Sequence, residues 1–506
     1  MKKFLFLIAV LCTACTAWAE DVTVHFGATK AKVKQTVKDS VSVTVDGTSV
    51  NIESQYADHR LTVLLTGKCS DGRVCLKSVG KAKVRLEGLD LTSTEGAPLV
   101  LKNKKKVEVV AAKGTENTLT ITACRDTANN KSATIWTKGK LQLSGKGSLN
   151  IVATGDGCRG IKAKKDITIE ELTLNVTTTG NNLGEKPFEM PDFGAMHPEG
   201  MDSIPGMPKG GFPGMPGGMG GMPPFNPDSI PEEVKKHFEE MRKQFEGKMP
   251  DFGAMRPEGM DSIPGMPEGG FGGKHKYVSS TKGIASKGQI VVNSGKVTVR
   301  TSTPGAEGIE GKEGVILNGG TIDVLSPDDA INANDVIEFN GANVVARSTG
   351  NDAVDANPKS GFFSPFGSNE ESSEPAIVIR GGTVYAWSQV GSPEEGLDCD
   401  FAPVMVEGGK VFSVGGGMGE MPSVPTNETA QQPTVLLIGL GVVQDEPIQI
   451  CDATGKVLDT VTIPFSMRRS ASLVTHPDFQ LGNTYTIKTK GYERTFTLNE
   501  AFTTVR

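Results

Sequence analysis

The fold is decided by five copies of one unit, which read IVVNSGKVTVR at residues 290–300, VILNGGTIDVL at 315–325, VIEFNGANVVA at 336–346, IVIRGGTVYAW at 377–387 and VMVEGGKVFSV at 404–414. Each copy has a short apolar strand, a turn that contains glycine, and a second strand of alternating pattern. The basic spacing is roughly 22 residues and is stretched where loops intrude, which is typical of a solenoid.

A single unit is too short to bury its own apolar side chains. We therefore expect the units to stack, with equivalent strands in parallel ladders about 4.8 Å apart and alternate Val, Ile and Leu side chains inside. The same pattern continues upstream, less regularly, in VRLEGLDLTS at 84–93 and LQLSGKGSLNIVATGDG at 141–157. The sequence predicts an all-β chain, a right-handed parallel β-helix with a disordered insertion and a small C-terminal β-sandwich-like domain.

The N-terminus has the pattern of an export signal. Lys2 and Lys3 precede an apolar run, and the small-residue pattern before Glu20 predicts cleavage after Ala19, with a lipoprotein cut before Cys15 as the alternative. We expect a secreted protein of the periplasm or outer cell surface. The predicted segments are a signal peptide at 1–19, a β cap at 20–66, β-helix at 67–182, an insertion at 183–278, β-helix at 279–416, a linker at 417–433 and a C-terminal β domain at 434–506.

The insertion is rich in Gly, Pro and Met and contains a near-duplication, at 190–212 and 249–271. Such composition buries no core and predicts disorder, except for one short helix within SIPEEVKKHFEEMRKQFEGK at 229–248. The insertion holds 12 of the 17 methionines. Thioether sulfur is a copper(I) ligand, but the methionines lack regular M-x-x-M spacing and nearby His pairs, so drift by duplication is the preferred explanation.

Composition argues against some functions and does not decide how the cysteines pair. The formal charge is −6 and the densest basic run is Lys104–Lys106, so we expect no nucleic-acid partner. Beyond the signal, no run approaches the roughly 20 apolar residues of a transmembrane helix. Six cysteines follow the signal, and only Cys69 and Cys75 are near enough in sequence to suggest a pair, with scattered buried thiols as the alternative.

Acidic hexads follow the second strand of successive units: EGIEGK from Glu307, DAINAN from Asp329, DAVDAN from Asp352 and EGLDCD from Glu395. Their fourth position carries Glu310, Asn332, Asp355 and Asp398. Further oxygen donors are Asp328 and, at the sixth position, Asn334, Asn357 and Asp400. An earlier unit offers DGCRGI from Asp156, where Arg159 interrupts the pattern.

Stacking would place these side chains in a column, with carboxylates about 4.8 Å apart. That distance is unfavourable for bare like charges but suits a cation shared between oxygens. The donors are hard oxygens without a competing His or Cys cluster, so the predicted ion is calcium. The alternative is that Asp, Asn and Gly simply favour turns.

With these motifs, the chain resembles the secreted carbohydrate-binding β-helix family that binds calcium and polygalacturonate. The resemblance runs from about residue 60 to 415, through the segment 65–121, the GDGCRGI turn at 155–161 and the D-A-[IV]-x-A-N hexads. It implies calcium in acidic turns and binding of acidic, pectin-like chains without cleavage. Cys158 and Arg159 depart from the Ile and Lys common in such turns, and the insertion interrupts the units.

Two other functions remain open from the sequence. One is an enzyme on the same scaffold, a polysaccharide lyase or hydrolase. A lyase would need a basic residue beside the calcium site, and the one basic residue beside a hexad is Lys312. A hydrolase would need a carboxylate pair facing a cleft, for which Asp352 and Asp355 are candidates. A cell-surface adhesin or scaffold without a sugar ligand would also suit the insertion and the end domain, which could attach to a cell-surface partner. The preferred prediction is a non-catalytic protein that binds acidic polysaccharide with calcium.

Overall fold

The structure is a computed structural model that describes residues 20–124, 131–185, 277–358, 374–399, 402–416 and 422–506. These residues belong to one compact unit and contain strands without any helix. The all-β prediction is confirmed for this part of the chain. The signal peptide at 1–19, the disorder predicted for most of the insertion and its helix at 229–248 lie outside the described residues.

Eleven short strands, numbered along the chain, form one sheet. Its first pair is an antiparallel hairpin within the predicted β cap, and every later pair is parallel. The strands are β3 (Val41–Asp46), β4 (Ser49–Ser54), β6 (Arg73–Ser78), β8 (Leu99–Leu101), β11 (Ala133–Thr137), β14 (Arg159–Ala163), β19 (Ile284–Ser286), β22 (Ile309–Gly311), β25 (Ile331–Ala333), β27 (Val354–Ala356) and β29 (Leu397–Asp398).

Twelve further strands are joined by parallel pairings that close on themselves. They are β7 (Ala82–Ser93), β9 (Val107–Ala111), β10 (Glu116–Ile121), β12 (Leu141–Ser144), β13 (Ser148–Ala153), β15 (Ile167–Glu170), β16 (Thr173–Thr178), β20 (Ile290–Val292), β21 (Lys296–Thr301), β23 (Val315–Leu317), β24 (Thr321–Ser326) and β26 (Ile337–Ser348).

This closure corrects the predicted fold class. β7 and β26 each pair with one strand through their first half and with another through their second half, so they join two rows of strands into one ring. The right-handed parallel β-helix predicted from the sequence is therefore wrong, and the architecture is a closed 12-stranded parallel β-barrel with additional sheets. From the sequence pattern, a glycine such as Gly88 is expected to end a strand. In the structure β7 continues through Gly88, which has a φ of 66°.

Other strands extend the ring into a 21-stranded sheet or form small sheets. The extending strands are β1 (Val22–Phe26), β2 (Ala31–Gln35), β5 (Leu61–Cys69), β28 (Ile377–Ser388), β30 (Val404–Val406), β31 (Lys410–Val414), β32 (Thr434–Val442), β35 (Met467–Thr475) and β38 (Phe502–Val505). A two-stranded sheet at the ends of the insertion has β17 (Leu183–Glu185) and β18 (Tyr277–Ser279), and an antiparallel four-stranded sheet has β33 (Pro447–Asp452), β34 (Val457–Thr462), β36 (Thr484–Thr489) and β37 (Tyr492–Thr497).

The expected pairing of equivalent repeat positions is present. Ile290 lies opposite Val315, and Val297 lies opposite Ile322, in parallel register. These side chains and Ile309 from the 11-stranded sheet belong to one buried apolar cluster. Burial of each such side chain contributes roughly 1.5 to 3 kcal/mol, which holds the neighbouring units in register.

The C-terminal strands share a second apolar cluster with the large sheet. Trp387 and Phe412 pack in it together with Ile448 and Phe496 of the four-stranded sheet. β35 also pairs antiparallel with β31. Part of the predicted C-terminal β domain thus continues the large sheet, and the segment boundaries read from the sequence stay predictions.

The described segments include no helix long and apolar enough to cross a membrane. The suggested pair of Cys69 and Cys75 is not joined by a disulfide, since the buried Cys69 thiol donates to the Asp71 carbonyl at 3.3 Å. Cys69 is therefore a buried thiol, as the alternative to a Cys69–Cys75 disulfide predicts.

Candidate functional site

The acidic hexads lie on neighbouring strands of the 11-stranded sheet. Their fourth positions are in direct register and form what we call the fourth-position column: Glu310, Asn332, Asp355 and Asp398. Their first positions form the first-position column: Glu307, Asp329, Asp352 and Glu395. Backbone hydrogen bonds of 2.9 to 3.3 Å join the residues that follow the first positions to the first positions of the next strand. The register that the hexads predict is therefore present.

The side chains of both columns are buried, except for the half-buried Asp398. Asp329 is 0% exposed, Asn332 1% and Asp355 4%. Removing a carboxylate from water is costly unless it gains a partner, so the partners determine what these columns can bind.

At one end of the acidic part, lysines neutralise the glutamates. The Lys282 ammonium lies 2.7 Å from both Glu307 Oε2 and Glu310 Oε1, and Lys312 Nζ lies 2.5 Å from the same Glu310 oxygen. Burial alone would raise the pKa of Glu310, but Lys282, Lys312 and Arg159 hold that pKa well below its usual range. This end already has its cations and does not fit a calcium ion.

In the middle of the columns an amide lies between two carboxylates. The Asn332 side-chain nitrogen donates to Asp329 Oδ2 and to Asp355 Oδ2, each at 2.7 Å. Asn357 donates to the other oxygen of Asp355 at 2.5 Å. The Asn332 amide group thus takes the bridging place that the sequence analysis assigned to a metal ion.

Several carboxylates surround Asp352. Burial raises the pKa of its carboxyl well above the usual value, and Asp398, Asp329, Asp355 and Glu394 raise it further in that order. The only hydrogen bond described for this carboxylate comes from the Glu395 backbone N–H, at 2.5 Å to Oδ1.

This end of the columns has the chemistry that fits a calcium ion best. The donors around Asp352 are carboxylate oxygens, and a divalent cation would relieve their repulsion. In the residues that the structure describes, however, no three acidic, His or Cys side chains converge in an arrangement ready to hold a metal. A calcium ion would thus require these side chains to move together.

The remaining predicted donors are held by other groups. Asp328 Oδ1 accepts a hydrogen bond from Asn351 at 2.7 Å, and Asn334 Oδ1 accepts one from Lys312 at 3.2 Å. Ser423, in the predicted linker, donates its hydroxyl to Asp398 at 3.2 Å and its N–H to Glu395 Oε2 at 2.7 Å. The predicted donor Asp400 lies outside the described residues.

The same columns have a basic half that the sequence analysis missed. Ile161 pairs with Ile284, which pairs with Ile309, so RGIK at 159–162 and KGIA at 282–285 align with EGIE at 307–310. The sequence signal for this register is the Gly-Ile pair that the three segments share. Alignment on the acidic residue instead placed the first position of the earlier hexad at Asp156, three residues before Arg159. Asp156 instead accepts hydrogen bonds from Asn181.

Lys162 is a cation of the basic half with a strongly lowered pKa. Burial lowers its pKa to about 7, and the charges of Arg159, Lys287 and Lys164 lower it as well. Lys162 lies in register beside Trp136, whose ring lies 5.7 Å from the Lys164 ammonium. The columns therefore change from basic to acidic along the sheet, with the Lys282 ion pairs at the border.

Comparison with known proteins adds three findings. A family model described as "Carbohydrate-binding domain-containing protein" matches residues 46–187 and 278–433, more than half of the chain. A carbohydrate-binding domain-containing protein of Acetivibrio thermocellus is 29% identical over 139 residues, which is 26% of this chain and 48% of that protein, so the match spans about half of the relative. A solved polysaccharide lyase-like protein from C. thermocellum, a gadolinium derivative, aligns over 67% of this chain and 92% of its own at 16% identity, with a TM-score of 0.37, too low to show a common fold.

Proposed function

Because the chain belongs to the family of carbohydrate-binding domain-containing proteins, we propose that it binds an acidic polysaccharide of the pectin or polygalacturonate kind with calcium, and does not cleave it. The proposed binding of carbohydrate is based on the match to this family. The acidic ligand and the calcium ion rest on the charge gathered around Asp352, which is the observation that carries the proposal.

Calcium would supply positive charge to carboxylates of the columns and so remove the repulsion between an acidic protein and a polyuronate. The donors that fit are Asp352, Asp355 and Asp398. The chain itself positions them: the Glu395 N–H holds Asp352, and the Ser423 hydroxyl holds Asp398. Asp398 is the most accessible of the three, so the polysaccharide would approach from its side of the sheet.

A glycan array tests this proposal when it is run once with calcium and once with a chelator. We expect retention on polygalacturonate that is clearly weaker in chelator than in calcium. The D352N/D355N variant should lose the calcium-dependent retention, whereas Asp39→Asn, at an exposed position, should keep it. Equal retention by the wild type in calcium and in chelator would contradict the calcium mechanism, and no retention on any glycan would favour an adhesin or scaffold.

A polysaccharide lyase is the second candidate, and Lys162 is the observation that favours it. A lysine with a pKa of about 7 can accept a proton near neutral pH, as β-elimination of a uronate requires. Incubation with polygalacturonate and calcium should give no unsaturated, ultraviolet-absorbing product if the protein only binds. Product that Lys162→Ala abolishes would establish the lyase instead.

The proposal includes export to the periplasm or the outer cell surface, from the pattern of residues 1–19. Fractionation of the producing cells, followed by mass determination of the N-terminus, tests it. A mature chain that begins at Glu20 is expected, and a chain retained inside the cell with Met1 in place would contradict this.

A further inference from the structure

A second polar surface lies on the outer face of the N-terminal strands, on a different sheet from the columns. It is an open groove of about 460 Å³, within the range of about 300 to 1,000 Å³ that small-ligand sites occupy. We call it the N-terminal groove. Its lining residues are Glu20, Thr62, Lys83, Arg85, Val110, Ala111, Ala112, Lys113, Gly145 and Lys146.

The groove is built from adjacent strands whose outward side chains lie in register. Thr62 of β5 lies opposite Lys83 of β7, and Arg85 of β7 lies opposite Val110 of β9. One wall continues in the turn at Gly145, which has a φ of 109°. A Cβ at this position would lie 2.1 Å from the Ala111 carbonyl oxygen, so only glycine permits this close approach.

The charge of the groove is positive, in a chain whose formal charge is −6. Four of its ten lining residues are cationic and one, Glu20, is anionic. Arg85 contacts Glu87 at 3.2 Å and Glu20 at 3.8 Å. Lys83 and Lys113 have no ion-pair or side-chain hydrogen-bond partner within the described part of the chain. Two ammonium groups are therefore available to an anionic ligand without the loss of an internal ion pair.

Lys146 adds a third ammonium at the rim. It is 63% exposed and 4.0 Å from Glu171, a distance at which an exposed pair contributes little. Between the cations, the groove presents the half-buried apolar side chain of Val110, next to the buried Ala111 and Ala112. Such a surface can contact the C–H faces of a sugar ring while the ammonium groups pair with carboxylates.

We propose that the N-terminal groove is a binding subsite for uronate units of an anionic polysaccharide, which it contacts directly through Lys83, Lys113 and Lys146 and without calcium. This inference rests on the proposed binding of acidic polysaccharide but concerns a second surface and a different mechanism. The columns would bind through a shared divalent ion, whereas the groove binds by charge pairing that salt weakens.

The test uses the full chain and polygalacturonate as the probe, in affinity electrophoresis with chelator present. The K83Q/K113Q variant should bind about tenfold more weakly than the wild type at about 0.02 M salt, and the difference should shrink at about 1 M salt. The matched control is K30Q/K138Q, which removes two exposed lysines elsewhere and should bind as the wild type does. Fully methyl-esterified polygalacturonate, which lacks the charges, should show no effect of either variant.

The outcomes separate this inference from the proposed function. If K83Q/K113Q binds as tightly as K30Q/K138Q while the wild type binds polygalacturonate, the groove is not the subsite and only this inference is overturned. If the wild type binds equally well with calcium and with chelator and K83Q/K113Q does not bind, the groove stands and the calcium mechanism fails. If the wild type binds polygalacturonate neither with calcium nor with chelator, both fail together.

Discussion

Asn332 donates its side-chain amide to Asp355 at 2.7 Å across two neighbouring strands on which the two residues are in register. The same nitrogen donates to Asp329 at 2.7 Å. An uncharged donor thus holds two buried carboxylates together at the middle of the acidic columns. The order along the fourth-position column is glutamate with lysine partners, then this amide, then carboxylates.

Asn332→Asp tests whether this amide keeps the acidic columns folded. The variant replaces the donor with a third carboxylate between Asp329 and Asp355, so we expect a loss of about 2 to 4 kcal/mol in the free energy of unfolding. Calcium should restore part of it by neutralising the added charge. Thermal unfolding with and without calcium measures both effects. The exposed Asn483→Asp should change stability by less than about 0.5 kcal/mol, and an equally small effect of Asn332→Asp would contradict this account.

Lys282→Met tests the border between the basic and acidic halves. Lys282 pairs with both Glu307 and Glu310, whose side chains are 5% and 6% exposed. Its removal takes this ion pair from the shielded Glu307 and leaves the shielded Glu310 with Lys312. We expect a loss of about 3 to 5 kcal/mol in denaturant unfolding. The exposed pair of Lys77 and Glu53 provides the control, because Lys77→Met should cost less than about 1 kcal/mol. Similar losses for both variants would show that burial does not strengthen the Lys282 pairs.

The raised pKa of Asp352 predicts how stability depends on pH. A carboxyl whose folded pKa lies above its ordinary value of 3.8 stabilises the fold at low pH, and this stability is lost as the pH rises through the folded pKa. Asp352→Asn keeps the oxygen that accepts the Glu395 N–H but removes the charge. Its stability relative to the wild type should therefore increase as the pH rises from about 4 toward neutrality.

Denaturant unfolding at a series of pH values, in chelator, measures this difference. Calcium should reverse it at neutral pH by stabilising only the wild type. A difference between Asp352→Asn and the wild type that stays constant with pH would show that Asp352 titrates normally.

Lys162 should have the opposite pH dependence. Its pKa is lowered from 10.5 to about 7, so the folded protein loses stability as the pH falls from 10.5 toward 7, because the unfolded chain binds the proton first. Lys162→Met removes this cost and should gain stability over the wild type across the same range as the pH falls. Urea unfolding at pH values between about 7 and 10 measures it. A gain that does not grow toward pH 7 would mean that Lys162 keeps an ordinary pKa.

Local patterns in the sequence predicted the strands and the register of the hexads, but not how the strands close. The alternation of Val and Ile around Gly320 or Gly341 shows which side chains are buried, and the aligned hexads correctly place Glu310, Asn332 and Asp355 on successive strands. Closure depends on β7 and β26 continuing through their central residues to pair in two rows. No periodicity distinguishes that from two strands separated by a turn.

The candidate site shows a similar limit. An alignment on acidic residues found the acidic half of the columns, but it could not show which carboxylates already have cations. Arg159 and Lys282 lie in the first-position column although they differ from glutamate in charge, and Lys282 is separated from Arg159 by the whole insertion. The N-terminal groove was missed for a related reason. Lys83 and Lys113 are 30 residues apart and form no motif, and only the pairing of neighbouring strands brings their surroundings together.

Isothermal titration calorimetry of calcium into the full chain tests the central claim most directly. We predict uptake at millimolar calcium or below by the wild type, loss of that uptake in D352N/D355N, and unchanged uptake in the Asp39→Asn control. Absence of any calcium uptake by the wild type at millimolar concentration, or equal uptake by D352N/D355N, would contradict the account.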